Sequence, residues 1–236
     1  MKNLTKIVVA LIFFSVTVIN VSGQTLKERI DQTKEIKVYF SNSDIRHNPN
    51  TNPPPGSNQK GTGCKAFTET TPIPPDYIDA EKQVIDLLNK GFGTTAFIAG
   101  DIAAVPTFTS GIQKGNQDWL KLGEPLVVWI STSGTYDVSN MGLMGAVDRV
   151  NSLSVNSALG FYGIVDGKIK VLGTKNLVNK VTPTVKTKGC DDYAYFVKNF
   201  PLSSLLDAFK TGIAEKTGDF ATKEMASYDK AMKKKK

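Results

Sequence analysis

The chain has 236 residues, of which 40% are hydrophobic and 22% charged, and it carries a formal net charge of +7. A typical domain runs about 100–200 residues, so the length permits one large domain or two small ones. The composition excludes wholesale disorder, and 20 glycines with 11 prolines exclude a collagen-like repeat. The positive charge alone would fit a nucleic-acid or membrane-surface binder.

The first segment reads as a secretory signal peptide. Lys2 and Lys6 form a basic start, Ile7 to Val21 is a mostly apolar run, and Ser22, Gly23 and Gln24 follow. Val21 and Gly23 are the small residues a signal peptidase requires just before its cut. The run is diluted by Ser15, Thr17 and Asn20 and falls short of the ~20 apolar residues of a spanning helix. The expectation is a signal peptide over 1–23 and a mature chain from Gln24. The mature chain is then one globular domain over 24–236 with no transmembrane segment, exported to a secreted or periplasmic location. Removing Lys2 and Lys6 leaves +5, and setting aside Lys233, Lys234, Lys235 and Lys236 leaves +1. A near-neutral body argues against nucleic acid, and only the lysine tail offers a contact for an anionic surface.

Along the mature chain, Thr25 to Lys34 predicts a short helix. Ile36 to Ser41 alternates as a strand. Residues 42–76 hold seven of the eleven prolines and five asparagines, and they read as a long loop. Asp76 is expected to cap a helix over 77–90, on which Tyr77, Ala80, Val84 and Leu87 recur at helical spacing, stopped by Gly91. Strands are expected at 94–99 and 126–131, with a helical turn at 118–122. Met141, Met144, Val147 and Val150 keep a helical interval. Asp166-Gly167 predicts a type I′ hairpin between strands 159–165 and 168–172. Its register would set Tyr162 against Val171 and Ile164 against Ile169 on a core face, with Lys168 and Lys170 towards solvent. The C-terminal fifth predicts helices, with a break at Gly218 and a new cap at Asp219. Strands in the middle and helices at the end point to an α+β fold with a mainly antiparallel sheet, the alternative being α/β.

Little catalytic chemistry is legible. The one histidine, His47, lies in the proline-rich stretch, and no G-x-S-x-G occurs. Ser57 and Lys60 match S-x-x-K, but among prolines and glycines rather than on a helix. Two cysteines and one histidine lack zinc-ligand spacing. Asn48, Asn50 and Asn52 start like a calcium loop, but Pro53 replaces its glycine and Gln59 its glutamate. No metal or other cofactor is expected.

The polar turn after the 126–131 strand offers Ser131, Ser133, Tyr136 and Asp137, and Asp101 follows a neighbouring strand. Small polar groups beside a buried strand are a reasonable ligand site. Two readings follow. The first is a non-catalytic exported protein that binds an unknown protein or small ligand. The second is a secreted hydrolase using Asp101, Ser131, Ser133 and Asp137, since paired carboxylates work without histidine.

Two cysteines in an exported chain predict one disulfide, Cys64 to Cys190. The loop it closes exceeds 100 residues, worth about 4–5 kcal/mol in the chain-entropy account. Peptide mapping without reductant is expected to recover the two cysteines joined. Two alkylatable thiols in the native protein would contradict it.

Overall fold

The computed structural model describes residues 24–49, 70–104, 123–141, 148–181, 185–187, 193–199 and 202–235. Helix α1 (Leu26–Gln32) opens with a capping box: Glu28 N donates to Thr25 Oγ1, and Thr25 N donates to Glu28 Oε2 at 2.7 Å. Then follow β1 (Ile36–Pro49), β2 (Thr70–Thr71), α2 (Pro75–Phe92), β3 (Phe97–Ala99), β4 (Leu126–Met141), β5 (Asp148–Val165), β6 (Lys168–Val181), β7 (Val185–Thr187), α3 (Tyr193–Asn199) and α4 (Leu202–Lys235).

The described strands form one mixed, mostly antiparallel sheet in the order β2-β1-β4-β5-β6. β3 extends the β1 edge in parallel, and β7 extends the β5 edge in antiparallel fashion. The fold is α+β. Its parallel pairs are β1–β3 and β1–β4, and α2 is the crossover that the first of these requires. α2 and α4 pack together over one face of the sheet, here called the inner face. The core between them is built from Ile36, Val38, Val84, Leu88, Val128, Ile130, Leu159, Phe209 and Ile213.

Four phenylalanines tie the layers together. Phe161 of β5 stacks on Phe220 of α4 with centroids 5.2 Å apart and meets Phe92 of α2 and Phe97 of β3 edge-on. Such pairs add about 0.5–1.5 kcal/mol each beyond the area they bury.

Several boundaries differ from the sequence reading. Residues 42–49 belong to β1 rather than to a loop, because β4 pairs with them as far as Pro49↔Val138. A bulge between Asn42 and Ile45 reverses the side-chain parity, which turns Ile45 inward. Residues 50–69, including Cys64, lie outside the described residues, as do Cys190 and the expected helical turn at 118–122. The 94–99 strand shortens to Phe97–Ala99.

Met141 and Val150 lie in strands β4 and β5, not in a helix; Met144 and Val147 are outside the described residues. Long antiparallel pairing with its neighbours overrides the helical interval. α2 starts at Pro75 with Asp76 in its first turn, and Gly93, at φ 63°, ends it in place of Gly91. Gly91 serves packing instead: a Cβ there would sit 2.5 Å from Ala221 Cβ. Gly218 does not break α4. Leu205, Phe209, Ile213, Thr217, Phe220 and Ala221 form one buried stripe through it, which outweighs the ~1 kcal/mol propensity cost of the glycine.

The hairpin register is as expected at all four pairs from Tyr162↔Val171 to Val165↔Lys168. Asp166 (φ 53°) and Gly167 (φ 68°) give the turn its two positive φ angles. The core face, however, is the opposite one. Phe161 and Val165 face the helices, while Val171 is 59% exposed. Phe161 fixes the parity of β5 through the aromatic cluster. The apolar residues of the other face join a second, smaller cluster of Tyr39, Val127 and Trp129 with Tyr162 and Ile169. With apolar residues on both faces, local alternation could not choose between them.

Gly91→Ala is expected to destabilise by about 1–3 kcal/mol despite its better helix propensity, because the added methyl overpacks against Ala221. Adding Ala221→Gly should recover about 1 kcal/mol through coupling of the two sites. Urea midpoints of the two single variants and the double variant measure this, and purely additive changes would contradict the contact.

Candidate functional site

The residues singled out in the sequence divide between the two faces of the sheet. Ser131 and Ser133 are exposed on β4 and point away from the helices, and half-buried Asp137 shares their parity. Tyr136 is on the inner face and is 1% exposed. Asp101 is exposed just after β3, where its carboxylate accepts from Ala103 N at 2.9 Å, an ordinary turn contact. The strand thus brings Ser131, Ser133 and Asp137 together in one line and sends Tyr136 to the other side.

Register assembles a polar field on the outer face. Ser133 lies opposite Asn156, and Asn156 opposite Asn179. The next rows pair Thr135 with Ser154 and Asp137 with Ser152, while Ser131 meets Ala158 and then Asn176. Arg46 of β1 flanks Thr135. All of these residues are exposed or half-buried. The field is flat and rich in hydroxyls and amides, with charge only at its rim in Arg46 and Asp137. At its other end lie Tyr162 and Tyr39. Burial and a hydrogen bond to Glu124 push the Tyr39 phenol well above its usual range. Lys37 pairs with the same Glu124 at 2.9 Å.

The inner face carries two buried polar groups, one joining the sequence candidate Tyr136 to Asn151 and one around Glu81; Asn151, Glu81, Thr132 and Ser157 are not among the residues the sequence singles out. Asn151 Nδ2 donates to Tyr136 Oη, while Asn151 Oδ1 is buried with no partner. The Tyr136 ring meets His47 edge-on at 5.6 Å and Phe196 at 5.4 Å, and His47 Nε2 bonds Thr71 Oγ1 at 2.9 Å.

The second group centres on Glu81 of α2, which is fully buried. Thr132 Oγ1 donates to Glu81 Oε1, while Oε2 and the nearby Ser157 Oγ have no partner. Burial raises the Glu81 pKa from 4.5 to about 7, opposed by the dipoles of Asn42 and Ser157. A signal was present in the sequence: Glu81 falls on the same stripe as Tyr77, Ala80, Val84 and Leu88.

Among the described residues, no group of three or more His, Cys, Asp or Glu side chains comes together. Nor is any described helix long and apolar enough to cross a membrane. No family model and no curated protein matches the chain. Among solved structures, the chain is similar to a homolog of neuraminyllactose-binding hemagglutinin from Helicobacter pylori. The identity is 13%, with 86% of this chain and 92% of that one covered, at a TM-score of 0.33. The hypothetical protein CT253 of Chlamydia trachomatis matches at 8% identity, with 80% and 99% coverage and a TM-score of 0.30. Protein XCC0632 of Xanthomonas campestris matches at 11%, with 85% and 90% coverage and a TM-score of 0.26.

Tyr136→Phe leaves the buried Asn151 amide without its one bond, at an expected cost of about 1–3 kcal/mol. Tyr136→Phe combined with Asn151→Leu should cost less than Tyr136→Phe alone. Thermal unfolding of the two variants tests this; a double variant that is the weaker of the two would contradict it.

Proposed function

We propose that the chain is an exported, non-catalytic binding protein whose recognition surface is the outer face of the sheet. The observation that carries this reading is the register of β4, β5 and β6, which gathers Ser131, Ser133, Thr135, Ser154, Asn156, Asn176 and Asn179 into one exposed field. Both long helices lie on the opposite face, so this surface is left to solvent by α2 and α4. Hydroxyls and amides both donate and accept, and short side chains lose little entropy on contact. Such a field suits a neutral, hydroxyl-rich ligand of carbohydrate type better than a charged one.

Export rests on the signal-peptide pattern of residues 1–23, and the capping box at Thr25 opens the first described helix just beyond the expected cut. At the other end, Lys235 pairs with Glu28 at 2.8 Å, and this bond holds the Glu28 pKa down to about 2. Lys233 and Lys234 are exposed and remain the residues for contact with an anionic surface.

An array of neutral oligosaccharides probed with the mature protein tests the reading. Retention of at least one is expected, weakened about tenfold or more by Ser133→Arg or Asn156→Arg, with the retained sugar recovered intact. No retention, or equal retention by the arginine variants, would contradict the surface. Cleavage of the sugar that Asp101→Asn abolishes would favour the hydrolase instead.

A further inference from the structure

The buried edge of α2 crosses the sheet over a row of polar residues. Asn42, Thr132 and Ser157 are register partners on β1, β4 and β5. Glu81 lies over this row, bonded through one oxygen to Thr132, while its other oxygen and Ser157 Oγ are buried and unpaired. A carboxyl in this place is tolerable when neutral and costly when charged, because no cation among the described residues accompanies it. We propose that Glu81 is a proton-controlled latch: with its proton, α2 is seated on the sheet, and without it the N-terminal half of the helix lifts from the Thr132–Ser157 row.

The groups facing Glu81 leave it as the titrating element. β1 contributes Asn42; further along it, Asp44 and Arg46 are exposed, Asp44 accepts from Thr70, and His47 is engaged with Thr71 and Tyr136. β4 contributes Thr132 and Tyr136, and β5 contributes Ser157 and Asn151. The buried stripe of α4, from Leu205 to Ala221, contains no charged residue. On α2 itself Tyr77 meets Phe209 edge-on, and the charged residues Asp79, Lys82 and Asp86 are exposed. Among the described residues nothing charged acts on the Glu81 carboxyl; the forces on it are burial and the dipoles of Asn42 and Ser157.

The direction of the switch follows from linkage. The folded pKa of about 7 lies above the ordinary 4.5, so the folded state binds the extra proton between these values. The stabilisation of the seated helix is therefore complete below pH ~4.5 and is lost as pH rises through ~7.

Amide hydrogen exchange over residues 77–88, corrected for the intrinsic rate, reads the latch at about pH 6 and pH 8.5. The opening constant is expected to rise about tenfold between them. Glu81→Gln should flatten the dependence, while His47→Asn should leave it in place. Thr132→Val, which removes a donor to the charged form, should move the midpoint to higher pH. That variant carries the test alone if Glu81→Gln does not fold. Exchange in the wild type that ignores pH, a rise that survives in Glu81→Gln, or an unmoved midpoint in Thr132→Val would overturn the proposal.

Discussion

The pairing of β4 with β5 is the constraint on which the rest depends. Sixteen consecutive partners, from Leu126↔Gly163 to Met141↔Asp148, run without a bulge. Side chains alternate strictly along such a ladder, so a slip of one residue would exchange every inward group for an outward one. Phe161 would leave its ring cluster, Tyr136 would leave Asn151, and Thr132 would leave Glu81. The polar field would also be buried under α2 and α4. One register therefore decides both the core and the surface assigned to binding.

The irregularities of the sheet lie on either side of this ladder. β1 has its bulge between Asn42 and Ile45, and the β5–β6 pairing shifts at Ser157/Ala158 and Phe161/Tyr162. Bulges twist strands and let an edge depart from the central pair. Lys168, Lys170 and Lys180 are exposed along β6, the outermost strand of the described order, where charge discourages pairing with another chain. The polar groups under α2 serve a different purpose. Glu81, Thr132 and Ser157 place a titratable contact where an apolar trio would have been more stable, a choice that stabilises the helix only while the carboxyl is neutral.

The elements were legible where local chemistry decides them. Asp166-Gly167 announced its turn and register, and the stripe Tyr77, Ala80, Val84 announced α2. Long-range effects were not legible. The choice of core face for the hairpin depends on Phe161 meeting three rings from α2, β3 and α4, none of which is near it in sequence. The strand nature of residues 42–49 depends on a partner some 90 residues away, against the local reading of asparagine and proline. The polar residues after Ile130 stand next to one another in the sequence, but Tyr136 turns to the inner face while Ser131, Ser133 and Asp137 stay on the outer one. That these three form a line on one strand face, completed by Asn156 and Asn179, required the register. Glu81 is a charged residue type whose spacing places it on the buried stripe of α2, and its partner Thr132 lies some 50 residues away in sequence.

The most direct test of the register is cysteine scanning along β4. Single cysteines at Ser131, Thr132, Ser133 and Tyr136 would be alkylated in the native protein and quantified peptide by peptide. The register predicts rapid modification at 131 and 133 and strong protection at 132 and 136. Equal reactivity along the strand, or protection at 131 and 133 with reaction at 132, would contradict it.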